Sequence, residues 1–194
     1  MSFFKKLFKL KSSQEEEAKE QEVHLSLDDA FVHHFIQKGG KFLYCISTQE
    51  LKSNLNNILL ENNWNKVICL SDSLKDIVDH SNVEIIADFN NTTPFLTNCE
   101  HLISDCGDIL FSSNQIGSNK LASLTENFIV FAKTSQLVKN TGEGLTGIKA
   151  NFKENIPTNI SAVKNYQINI EDDNFLNYGN SNTKNLYLLL LEDL

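Results

Sequence analysis

Arginine is absent from this 194-residue chain. Its planar guanidinium is the usual bidentate clamp for carboxylates and phosphates, whereas lysine offers a point charge on a flexible stem. A tight site for either anion would therefore rest on lysine, on backbone amides or on a partner's arginine. Asn, Lys, Ile and Phe are heavily used alongside, as an AT-rich genome would produce, and the chemical consequence is the same whatever the cause. Long apolar runs are missing too. The longest, Leu186 to Leu191, suits one buried strand and falls far short of a bilayer. The stretch from Met1 to Leu10 alternates Phe and Leu with lysine, so it lacks the unbroken apolar centre of a signal peptide. The expected location is the cytoplasm. Positive charge is scarce as well: the net charge is −8, which argues against a general nucleic-acid footprint. The four cysteines, Cys45, Cys69, Cys99 and Cys106, include no C-x-x-C pair. The usual spacings of iron–sulfur and zinc sites are therefore absent. Cys45 and Cys69 lie in apolar runs, where a thiol acts as a small buried hydrophobe. No cofactor is expected on the chain itself.

What is present divides at about residue 24. Residues 1–24 read as a flexible charged leader. Lys5, Lys6, Lys9 and Lys11 alternate with Phe3, Phe4, Leu7, Phe8 and Leu10, and an acidic run follows from Gln14 to Glu22. The basic part, residues 1–13, is the one place where an amphipathic helix could touch a membrane surface or a partner. Residues 25–194 read as one α/β domain. Ser26 with Asp28 and Asp29 is an N-cap signature, and Leu27, Phe31, His34 and Phe35 recur at helical spacing up to Gly39-Gly40. A strand at Lys41 to Ser47, a helix from about Thr48 to Glu61, a strand at Lys66 to Leu70 and a short helix to about Val78 follow. Strand, helix, strand and helix in close succession mark a parallel sheet with crossover helices. The strands do not alternate strictly, as expected when both faces are covered. His101 to Ser104 and Ile109 to Ser112, separated by Asp105-Cys106-Gly107-Asp108, form a hairpin signal. Asn127 to Ala132, Ile160 to Val163 and Leu186 to Leu191 complete the strands. The sum is a mostly parallel, mixed sheet with helices on both faces, a three-layer α/β/α architecture with the hairpin as an insertion.

The stretch Cys99-Glu100-His101-Leu102-Ile103-Ser104-Asp105-Cys106-Gly107-Asp108-Ile109-Leu110-Phe111 resembles the A-d-a-a-I-A-e-T-G-s-l-v-l segment of the LUD domain family (lactate utilization protein C-like). Lys120-Leu121-Ala122-Ser123-Leu124-Thr125-Glu126-Asn127-Phe128-Ile129-Val130 is similar to that family's R-L-a-S-l-x-P-x-x-H-I-v-v-v stretch, and Thr134 to Val138 continues it. The likeness runs over roughly residues 26 to 194. It implies a fold similar to the ribose-5-phosphate isomerase and CoA-transferase group. It also implies a ligand-facing turn at Asp105, Cys106, Gly107 and Asp108, with Lys120 at the family's arginine. At the late G-P-S-R-T-A-D-I-E motif the chain reads Asn165 to Glu171, matching at Ile170 and Glu171; the G-v-H-G-P segment becomes Gly179 to Thr183, without its His and Pro.

Other chemical-looking groups have plainer explanations. Gly142-Glu143-Gly144-Leu145-Thr146-Gly147 fits G-x-G-x-x-G, but no strand runs directly into it and Glu143 would face the phosphates, so a mobile loop or a loosely capped helix is expected. Asp and Gly in Asp105 to Asp108 serve a turn as readily as a ligand. His33-His34 lacks the i, i+4 spacing of a metal pair, with His34 at the core edge and His33 in solvent. Three functions stay open. The resemblance implies an accessory, non-redox component of L-lactate oxidation acting with iron–sulfur oxidoreductase subunits. The departures at the late motifs suit a diverged binding or scaffold module. A stand-alone isomerase or transferase would use Asp105 as its acid or base.

Overall fold

The computed structural model describes residues 25–78, 83–89, 92–166 and 182–193. The leader, and most of the two late motif segments, lie outside the described residues. Helix α1 (Leu27–Gln37) opens on Ser26, whose Oγ accepts the Asp29 N–H at 3.4 Å, and it buries Phe31 and Phe35. Strand β1 (Lys41–Cys45) leads to α2 (Thr48–Glu61), capped by Ser47 and burying Leu51, Leu55, Ile58 and Leu59. The spacing of those four residues is the apolar stripe of an amphipathic helix. Then come β2 (Lys66–Ile68), the one-turn α3 (Asp72–Lys75), β3 (Glu84–Ile86) and β4 (Phe95–Asn98). The hairpin strands are β5 (His101–Ile103) and β6 (Asp108–Phe111), followed by the short α4 (Ser113–Ile116). The last elements are β7 (Asn127–Lys133), β8 (Leu137–Val138), α5 (Thr141–Asn151), β9 (Ser161–Val163) and β10 (Asn185–Leu191).

The principal sheet has the order β1-β10-β7-β4-β2-β3 and every pairing in it is parallel. Its inner strands are buried on both faces. Phe128, Val130 and Ala132 of β7 and Leu186, Leu188 and Leu190 of β10 enter one core cluster, which α1 closes with Phe31 and Phe35. Ile129 and Leu189 point the other way, into a cluster shared with the buried stripe of α2. This two-sided burial explains why the strands read as apolar runs rather than alternating ones.

The expected parallel sheet is present, and the inserted hairpin lies outside it. It is the middle of a second, four-stranded sheet of order β8-β5-β6-β9. The cause is a continuous backbone: two residues separate β4 from β5, and a single 3-10 turn, Thr134–Gln136, separates β7 from β8. Both strands bend out of the first sheet and enter the second, so Leu102, Ile109, Phe111 and Val163 join the cluster built on Phe128. Helix α5 covers the outer side of the second sheet. The nearest atoms to a Cβ placed on Gly144 would be Leu110 Cδ1, Ile103 Cδ1 and Val138 Cγ2. Strands β3, β4 and β8 carry too few residues for periodicity to reveal them. Among the described residues, no helix is long and apolar enough to cross a membrane.

Candidate functional site

In an open α/β sheet, ligands sit beyond the carboxyl ends of the strands where successive connections leave to opposite faces. Here that point lies between β2 and β4. After β2 the chain enters α3, whose Leu74 packs in the cluster of α2. After β4 it turns the other way, into β5 and the cluster of α1. Glu100 stands at that turn. One carboxylate oxygen, Oε1, accepts hydrogen bonds from Ser112 Oγ (2.5 Å), Asn114 Nδ2 (2.9 Å) and Gln115 Nε2 (3.1 Å). Ser112 and Gln115 also form the capping box that opens α4, with the Ser112 N–H donated to Gln115 Oε1 at 2.8 Å. The local cap thus builds the donors that hold the acid. Glu100 Oε2 takes no hydrogen bond among the described residues, which leaves an acceptor open to an incoming donor.

The neighbouring strand ends are braced with similar economy. Gln136 Nε2 donates to the Cys99 carbonyl (2.6 Å) and the Glu100 carbonyl (3.2 Å), while its Oε1 accepts the Lys133 N–H at 2.8 Å. One side chain therefore ties together the two places where the chain leaves the parallel sheet. Past β10, Asp193 accepts from Thr134 Oγ1 (2.7 Å), the Ser135 N–H (2.9 Å) and Ser135 Oγ (2.6 Å). These bonds favour the ionised carboxyl and lower its pKa from 3.8 to about 2. The edge as a whole is rich in acceptors: an acid fixed at each of two strand ends, among amides and hydroxyls.

The turn expected to face a ligand is packed instead against α1. Gly107 has φ +68°, and its N–H donates to the Ile103 carbonyl at 2.7 Å. A Cβ there would lie 2.6 Å from the Phe35 nitrogen, so both the conformation and the space demand glycine. The Gly107 carbonyl accepts from the buried Tyr166 hydroxyl at 2.6 Å. Asp108 is 7% exposed, begins β6 and pairs with Lys38 Nζ at 2.7 Å. Asp105 is exposed and uses its N–H on the Lys139 carbonyl (2.9 Å). Cys106 is partly exposed, and burial raises its pKa. Lys120 stands at the N-cap of the 3-10 turn Leu121–Ser123, and no hydrogen bond or ion pair among the described residues joins it to Asp105–Asp108. The His34 ring, via Nδ1, contacts the Ser104 carbonyl at 2.9 Å, beside the same turn.

The thiols share one property. Cys45, Cys69 and Cys99 are buried, and desolvation pushes each pKa above the ordinary thiol value. A thiolate nucleophile needs the opposite shift. The G-x-G-x-x-G residues fall inside α5. Asn140 caps the helix by accepting the Glu143 N–H (3.0 Å), Glu143 accepts the Lys139 N–H (2.9 Å) and the Gly144 N–H donates to the Asn140 carbonyl (3.1 Å). The Glu143 and Gly144 amides are thus already engaged within the helix cap. The helix is well capped rather than a mobile loop, and Gly144 and Gly147 serve close approach to the second sheet.

The profile of the LUD domain matches residues 16–191. The chain belongs to the LUD domain family. Its fold is similar to the crystal structure of a DUF162 family protein from Deinococcus radiodurans, with a TM-score of 0.63 and 15% sequence identity, covering 86% of this chain and 99% of that one. No curated protein matches the chain. The LUD profile begins before residue 25, so it takes in the end of the segment read as a leader. Within this LUD domain, sequence reasoning passed over Glu100, Gln136 and Asp193. A readable signal existed for the first: Ser112-Ser113-Asn114-Gln115 is a capping-box pattern one hairpin away from an acid that follows a buried run.

Proposed function

We propose that this LUD domain is a non-redox accessory component of L-lactate oxidation that works through contact with iron–sulfur partner subunits. The observation that carries the reading is Glu100, an acid at the topological switch point held by three donors on one oxygen and, among the described residues, open on the other. Such a group recognises a donor. The charged donor it suits is a lysine or arginine of another protein. The raised thiol pKa values support a recognition role over thiol chemistry.

The test is capture of the tagged full-length chain from native cells grown on L-lactate, with bound proteins identified by mass spectrometry. Iron–sulfur oxidoreductase subunits enriched on the wild-type chain, and reduced on Glu100→Ala, are the expected result. If none is enriched, the lactate role fails. The second reading, a diverged LUD-fold binding module with no part in lactate use, is favoured by the replaced residues at Asn165 to Glu171 and Gly179 to Thr183.

A further inference from the structure

The parallel sheet ends in two unlike edges. At β3 the edge is only three residues long and opens on Glu84, paired to Lys66 of β2 at 2.7 Å. Short, charged edge strands resist pairing with other chains. At β1 the edge is five residues long and carries Phe42, Leu43, Tyr44 and Cys45 after a single lysine. Its hydrogen-bonding pattern follows from one contact: the Glu192 N–H donates to the Cys45 carbonyl at 2.9 Å, so Cys45 faces β10. In a parallel ladder the N–H and C=O of one residue point to the same side, and alternate residues point oppositely. Lys41 and Leu43 therefore also face β10, while Phe42 and Tyr44 turn both of their peptide groups outward. No strand among the described residues pairs that outer side.

We propose that β1 is the dimer interface of this protein, pairing antiparallel with β1 of a second copy to join the two sheets into one. The register is dictated by the outward groups. Only Phe42 and Tyr44 have them, and all are used when Phe42 of one copy lies opposite Tyr44 of the other. The two-fold axis then passes at Leu43. The charges agree with this direction. Lys41 stands at the start of the strand, donating to Asn185 Oδ1 at 2.8 Å and lying over the Tyr187 ring. Acids stand at the other end: Glu50 accepts the Ile46 N–H at 2.9 Å, and Glu192 follows β10 beside Cys45. Antiparallel pairing sets each Lys41 against the acidic end of its neighbour, whereas parallel pairing would stack like charges. Ile46, 70% exposed directly after β1, lies where the second copy would cover it. Edge-to-edge addition of this kind draws its affinity from main-chain hydrogen bonds and its direction from the flanking side chains.

Sedimentation equilibrium of the full-length chain across the micromolar range should give twice the 22.0 kDa chain mass. Lys41→Glu should weaken the dimer by at least about tenfold in Kd, and Lys41→Glu with Glu192→Lys should restore it. Leu43 would form a non-hydrogen-bonded pair with itself, the closer type of cross-strand pair, so Leu43→Cys should give a disulfide-linked dimer under mild oxidation while the wild-type chain does not. A chain that stays monomeric throughout overturns the proposal. So does a dimer in which Leu43→Cys fails to cross-link, because the contact would then lie elsewhere.

Discussion

The two sheets share one core cluster yet are held by different physics. The parallel sheet is held by apolar bulk pressed from both sides: β7 and β10 give alternate residues to opposite clusters, and the Asn185–Asn127 side-chain bond (2.7 Å) sits only at their starts. The four-stranded sheet has strands of two to four residues, too short to be defined by burial alone. It depends on individual groups: a left-handed glycine at the hairpin, the Lys38–Asp108 pair, the Tyr166 hydroxyl on Gly107, and Gln136 at the bend. A sheet built from bulk tolerates exchange of one apolar residue for another of similar volume. A sheet built from particular contacts is sensitive at particular positions, and those positions border the candidate site.

The largest expected loss is in the parallel sheet. Phe128 is fully buried, its ring 5.3 Å from that of Phe95 and 6.0 Å from that of Phe111. Phe128→Ala should cost about 3–5 kcal/mol in urea unfolding, through lost transfer energy and the cavity left behind. Phe128→Leu should recover most of it, and a failure to do so would break the contrast. In the second sheet, Gly107→Ala should cost about 2–3 kcal/mol, from the positive φ and the contact with the α1 backbone. The companion measurement is hydrogen exchange: protection should fall in β5 and β6 before it falls in β7. Uniform loss across both sheets would show that they unfold as one unit.

Smaller still is Asp108→Asn, expected to cost about 1–2 kcal/mol at neutral pH by leaving Lys38 without its counter-charge, the lysine's partial exposure limiting the loss. Chemical denaturation of the variant beside Lys38→Met and the double variant would measure the coupling.

A last test is a pH dependence instead of a fixed loss, and it probes the far end of the parallel sheet, at the start of β10. Lys184 is 2% exposed, and its ammonium donates to the Leu124 and Thr125 carbonyls at 3.0 Å each. Burial lowers its pKa from 10.5 to about 8. Between those values the unfolded chain binds a proton that the folded chain has released, so this group's contribution to stability rises with pH across the window and is flat below it. Wild-type stability relative to Lys184→Met should therefore climb from about pH 8 to 10.5 in urea titrations. A flat difference would mean the ammonium stays charged in the fold.

Helix α2 was legible to the residue, because Leu51, Leu55, Ile58 and Leu59 repeat at helical spacing and Ser47 caps them. Strands β7 and β10 were legible because each holds an unbroken apolar run, Phe128 to Ala132 and Leu186 to Leu191, preceded by an asparagine. The hairpin was legible to within one residue: the expected connection Asp105–Asp108 is in fact Ser104–Gly107, since Gly107 closes the turn and Asp108 already pairs within β6. For Glu100 the cap at Ser112–Gln115 was legible, but its meeting with the acid was not. Its donors come from a cap more than ten residues downstream, reached only after β5 and β6 have folded back beside it.

Sequence alone determined the α/β class, the absence of an arginine clamp, the ends of the long helices and the family. Each of these rests on composition, on local periodicity or on short-range chain chemistry, which act without reference to distant residues. Tertiary structure alone decided that the hairpin seeds a second sheet, that the glycine-rich motif is a packed helix, and that an open acid stands at the switch point. Those outcomes depend on which strand ends meet, and strands of two to four residues carry no pattern that specifies their partners; only burial against the completed parallel sheet does.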